Sequence, residues 1–101
     1  MKRIKSFQVG SHTISIKYKK NVRNPDSNEE VLGMFIPLRN EIIVSINFKG
    51  ESLCEEVIEH SLHHEIAHCF MIMMSQWELN SDEVFIDVLG LHMAQYIKSR
   101  K

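Results

Sequence analysis

A chain of 101 residues, 44% hydrophobic and 25% charged, has the composition of one small globular domain, expected to bury about 60–70% of the surface its unfolded form exposes. Its formal net charge of −1 gives no global field that would select nucleic acid or an acidic surface, and no apolar run approaches the roughly 18 residues of a membrane span. Two cysteines make no disulfide framework, and the basic start MKRIKSFQVG lacks the apolar stretch of a secretion signal, so a soluble cytoplasmic protein is the expectation.

Residues 4–20 alternate in polarity through Phe7, Val9, Thr13, Ile14, Ile16 and Tyr18, with a break at Gly10-Ser11. That reads as two short strands or one kinked strand, with Lys5, Lys17, Lys19 and Lys20 on the solvent face. Seven of the 12 basic residues fall within the first 23 positions, where there is no acid. A nucleic-acid patch would use such residues, but lysines that guard a strand edge against pairing explain them more simply. Salt-insensitive failure to bind DNA in a gel assay would remove the nucleic-acid reading.

Residues 21–30 (NVRNPDSNEE) form a polar loop around Pro25. A strand over 31–36 follows, then a turn at Pro37-Leu38-Arg39-Asn40, then the strongest strand, 41–48 (EIIVSINF), ended by Asn47, Lys49 and Gly50. Which of these two strands forms the sheet edge is open.

From Glu51 to about Trp77 the pattern predicts one long helix. Glu51, Glu55, Glu56 and Glu59 load its N-terminal half, as the helix dipole favours. Leu53, Val57, Ile58, Leu62, Ile66, Cys69, Phe70 and Met73 recur at helical spacing. Cys54 and Cys69 on that helix stand 15 residues apart, about 22 Å and beyond disulfide reach. Cys69 reads as a core cysteine, and the Met71–Met74 run as core packing.

Within this helix lies LHHEIAHC, in which His64-Glu65-Ile66-Ala67-His68 is an HExxH motif. Residues four apart lie about 40° apart around a helix and one turn apart along it. His64 and His68 therefore offer two imidazoles to one point, as a tetrahedral zinc ion requires. Glu65, rotated by roughly 100°, stands beside that point, where a carboxylate can take a proton from water at the metal and pass it to a leaving amine. With six His in the chain, random placement gives about 0.03 such matches. His60, one turn before His64, overlooks the same cleft as a candidate substrate contact. His63 is rotated away to the surface, and His12 and His92 have no spacing partner.

A last helix is expected over about 80–99, with Asn80 or Ser81 as N-cap. It carries Glu83-Val84-Phe85-Ile86-Asp87, an ExxxD motif beginning 15 residues after His68 in a chain with only three Asp. Catalytic zinc takes three protein ligands and keeps one open position. Glu83 is the expected third ligand; Asp87, one turn on, suits a carboxylate that accepts the free N–H of a ligating His. Acids are common in a helix's first turn for dipole reasons alone. Glu83 and Asp87, however, share a stripe with Ile86, Gly90, Met93 and Ile97, and inward acids cost several kcal/mol unless paired or metal-bound. Gly90 in mid-helix predicts a close approach to the HExxH helix.

HExxH followed by ExxxD resembles the gluzincin metallopeptidases, over residues 62–97. By size the chain is similar to their single-domain members, the minigluzincins, and to small HExxH proteins of phages and prophages. The resemblance implies one Zn2+ per chain on His64, His68 and Glu83, with Glu65 as base and Asp87 behind a ligand. It also implies a peptide or protein substrate held as an added strand on the sheet edge. One departure stands out: no residue matches the His or Tyr that usually steadies the oxyanion, since His92 and Tyr96 fall off the zinc-facing stripe. Low or latent activity is compatible with that.

The expectation is a single α+β domain over 1–101: a small, mainly antiparallel sheet of three to four strands in 1–50, and two packed helices in 51–101 with zinc between them. The expected function is zinc-dependent peptide hydrolysis. The alternative is a zinc-binding, non-catalytic regulatory module with a peptidase fold.

Overall fold

The computed structural model describes residues 3–99. The fold is α+β: a four-stranded, mostly antiparallel sheet followed by two long packed helices. The Gly10-Ser11 break closes a hairpin between β1 (Ser6–Val9) and β2 (His12–Lys19), with Val9 opposite His12. Gly10, at φ 58, takes a left-handed conformation that glycine adopts without steric cost.

After β2 the chain crosses over, so β3 (Gly33–Ile36) lies beyond β4 (Glu41–Ser45) and the sheet order is β1-β2-β4-β3. β2 and β4 therefore run parallel, with Ile16 opposite Ile42, while β3 returns antiparallel to β4. This resolves which strand is the edge. β4 is central and buried along its whole length, and β3 is the edge. A one-turn 3-10 helix, Pro37–Arg39, joins them and ends at Asn40 in the left-handed region.

The single strand expected over 41–48 is two. β4 stops at Ser45, and β5 (Asn47–Phe48) pairs with β6 (Glu51–Ser52) across Lys49 and Gly50, at φ 51 and 82. Two successive left-handed residues make a tight two-residue turn. Glu51 therefore belongs to a strand, and α1 (Glu55–Met73) starts later than expected, with Glu55 and Glu56 in its first turn.

The expected helix end at Trp77 also shifts. Ser75, at φ 57, breaks α1, and a short α2 (Trp77–Ser81) precedes α3 (Glu83–Ser99). The residue that caps α3 is Asp82, whose Oδ1 accepts the Phe85 N–H at 3.0 Å, and not Asn80 or Ser81.

One face of the sheet packs on α1. Ile14, Ile16, Ile42 and Val44 meet Ile58, Leu62, Ile66 and Cys69 in a single buried cluster. Each fully buried aliphatic side chain contributes about 1.5–3 kcal/mol. Burial also pushes the Cys69 thiol up to about 11. A second cluster, Ala67, Met71 and Ile86, joins α1 to α3. Of the Met71–Met74 run, Met71 is core while Met74 is exposed. Both cysteines are free. Among the described residues, no helix is long and apolar enough to cross a membrane.

Candidate metal centre

The crossing of α1 and α3 is set by Gly90. A Cβ there would lie 3.0 Å from the His64 Cα and N, and 3.1 Å from the His63 carbonyl carbon. Only a residue without a side chain lets the helices approach so closely, as the mid-helix glycine predicts. The same crossing corrects the expectation for His63. α3 covers it, it is buried, and its Nδ1–H reaches the Glu59 carbonyl at 2.8 Å.

At this close approach His64, His68 and Glu83 converge, with one donor atom from each within 4.8 Å of the others. His64 Nε2 lies 3.1 Å from Glu83 Oε2, and His68 Nε2 lies 3.1 Å from Glu83 Oε1. The rings are 5.0 Å apart at 65°. A tetrahedral zinc ion with nitrogen and oxygen ligands at about 2.0–2.2 Å needs donor atoms about 3.3–3.5 Å apart. Two imidazoles and a carboxylate are a donor set that zinc takes, and the two His–Glu83 contacts at 3.1 Å are close to that spacing.

The far side of each imidazole is also occupied. His64 Nδ1 stands 3.2 Å from Asp87 Oδ1, and His68 Nδ1 stands 2.8 Å from Asn80 Oδ1. In both cases the oxygen is an acceptor for Nδ1–H, the arrangement that would present Nε2 to a metal in place of its contact with Glu83. Asn80, expected as a helix cap, is thus the partner of His68. Nothing in its sequence position signals this, because it depends on how α2 folds back over α1.

The burial argument for the two acids does not hold in the form expected. The side chains of Glu83 and Asp87 are 67% and 54% exposed. They stand at the mouth of the cleft, so their convergence with the histidines, rather than any cost of burial, marks them.

Glu65 is the buried acid of this cleft, only 8% exposed. Burial raises its carboxyl above the usual range. The neighbouring His64 and His68 oppose that rise, and Glu83 adds to it. Its space is made by Gly33 on the edge strand, where a Cβ would meet Glu65 Cγ and the Ile43 carbonyl oxygen at 3.1 Å and Glu65 Oε2 at 3.4 Å. A glycine inside a strand pattern is a known sign of close approach, so a signal for Gly33 was present in the sequence.

These groups line one cleft of about 640 Å³ between β3, α1 and α3. Its apolar walls include Met34, Phe35, Phe48, Val57 and Ile72. His60 lines it too, with Nε2 3.2 Å from Asp87 Oδ1. His12 and His92 are exposed and away from it, and His92 Nδ1 is engaged with its own helix at the Val88 carbonyl. Comparison with models of known protein families, with curated proteins and with solved structures returned no match.

Proposed function

We propose that this chain is a zinc-dependent peptide hydrolase of the gluzincin kind, binding one Zn2+ through His64, His68 and Glu83. The observation that carries this reading is the convergence of those three donor groups within 4.8 Å in the cleft that also holds the buried Glu65. Asp87 and Asn80 orient the two imidazoles, and Glu83 supplies the anionic oxygen. Zinc, when bound, supplies Lewis acidity that polarises a carbonyl and brings water's pKa to about 7.

Glu65 takes the proton of the attacking water and delivers it to the departing amine. Burial raises its carboxyl above the usual range, the direction that favours holding the proton it takes. The substrate is an extended peptide or protein segment. β3 pairs only with β4 among the described strands, so its other edge is free to take backbone hydrogen bonds, and the apolar walls accept side chains. Two free cysteines suit a reducing, cytoplasmic setting.

One observation favours a second reading, a zinc-binding module without catalysis. No Tyr, Arg or Lys lines the cleft among the described residues, and of the neutral polar side chains there Asn80 is already engaged with His68. Both readings meet in one experiment. Zinc-loaded wild type is incubated with a mixed peptide pool, and cleavage is read by mass spectrometry beside Glu65→Gln. The hydrolase reading expects cleavage that falls at least about 100-fold in the variant while its zinc content is unchanged. Equal cleavage by both proteins contradicts it, and zinc uptake without any cleavage assigns the binding module.

A further inference from the structure

The histidine one turn before the HExxH motif has a place in the cleft that a substrate contact does not explain. His60 Nε2 is shielded from solvent although 40% of the side chain is exposed. The shielded atom lies 3.2 Å from Asp87 Oδ1, the same oxygen that stands 3.2 Å from His64 Nδ1. Two imidazoles on successive turns of α1 thus share one carboxylate oxygen from α3. The His60 contact is not aligned as a hydrogen bond, and Nε2 has no other partner among the described residues.

Asp87 needs such an anchor. Its side chain is 54% exposed, at the mouth of the cleft. An exposed carboxylate beside a single imidazole gains little from the pairing, because holding its rotamer offsets the attraction. A second imidazole nitrogen 3.2 Å from the same oxygen narrows the rotamers that Asp87 occupies and keeps the oxygen against His64 Nδ1.

We infer that His60 is a positioning residue for the metal centre, holding Asp87 against His64 and so fixing the tautomer and ring angle of that ligand. The inference rests on the zinc reading above and deepens it. His60 then acts entirely through Asp87, and this sets it apart from a residue that touches substrate or merely fills space.

The test is zinc affinity of the full chain, measured by chelator competition without any substrate, in a double-mutant cycle of His60→Ala and Asp87→Ala. Outer partners of ligating histidines typically change metal affinity about 10- to 100-fold, so Asp87→Ala should weaken zinc by that much and His60→Ala by a few-fold. The double variant should bind no more weakly than Asp87→Ala alone, since residues acting as one unit are non-additive. His60→Gln, which keeps an N–H donor at a similar reach, should restore most of the affinity. The 15N shifts of His64 in the metal-free protein give a second readout: its Nδ1–H tautomer should be depleted in His60→Ala. Wild-type affinity in His60→Ala, or additive losses in the double variant, would overturn the inference alone. A wild type that takes up no zinc would overturn the metal reading and this inference together.

Discussion

Gly90→Ala is the substitution whose consequence the structure sets most directly. The added methyl group would sit 3.0 Å from two backbone atoms of His64 and 3.1 Å from one of His63. Such contacts are tighter than ordinary carbon packing, so α3 must retreat from α1 by a few tenths of an ångström. Neither neighbour is a flexible side-chain end that could swing aside. Two effects on stability then compete. Alanine is favoured over glycine in a helix by about 1 kcal/mol, while overpacking a tight contact costs about 1–3 kcal/mol. The net expectation is an apo-protein destabilised by about 0–2 kcal/mol.

The effect on the metal centre has no such compensation. α3 carries both Glu83 and Asp87, and plausible ligand distances tolerate only about ±0.2 Å. A retreat of a few tenths of an ångström exceeds that tolerance and should lower zinc affinity about tenfold, equivalent to about 1.4 kcal/mol. Urea unfolding of the metal-free protein and chelator competition for zinc measure the two effects separately. A Gly90→Ala protein that gains about 1 kcal/mol of stability and binds zinc like wild type would refute the close crossing as the feature that assembles the site.

Three further outcomes follow from the same geometry. Gly33→Ala should push the Glu65 carboxylate from its place, since the new Cβ would meet Glu65 Cγ at 3.1 Å. Peptide cleavage should fall by about 10- to 100-fold with zinc content unchanged, and a parallel loss of zinc would show that more than the base had moved. Asn80→Ala removes the acceptor of His68 Nδ1 and should weaken zinc about 10- to 100-fold, whereas Asn80→Asp should retain it; chelator competition distinguishes them. Glu41, buried beside Lys17 at 2.9 Å, has its carboxyl held below the ordinary value of 4.5 by that hydrogen bond. Because the folded-state pKa is depressed, the pair stabilises the fold above about pH 4.5 and loses that contribution as pH falls through the lowered value. Urea titrations between pH 3 and 6 should show a shallower acid loss in Glu41→Gln than in wild type.

The residues that were legible in the sequence are those whose placement is local. Helical spacing alone puts His64 and His68 on one face, puts Glu83 and Asp87 on another, and marks Gly90 as the contact between them. Alternation and the Gly10-Ser11 break suffice for β1 and β2. What escaped depends on packing between elements distant in sequence. His63 is buried because α3 lies over it, and Asn80 reaches His68 because α2 folds back. The parallel pairing of β2 with β4 arises from a crossover that no local pattern encodes. The helix boundaries moved for backbone reasons: Lys49, Gly50 and Ser75 all take positive φ, and two of the three are residues from which sequence does not forecast it. Glu83 lies with the two histidines, but at 67% exposure, so the burial argument does not account for its place there.

The most direct test of the metal centre is the zinc content of protein purified without added metal, for wild type and Glu83→Ala side by side. About one zinc per chain in wild type and little in the variant is the expected result, because catalytic zinc needs three protein ligands. A wild type without zinc, in a preparation free of any metal-stripping step, would reduce the His64, His68 and Glu83 cluster to an ion-paired surface feature and remove the hydrolase reading with it.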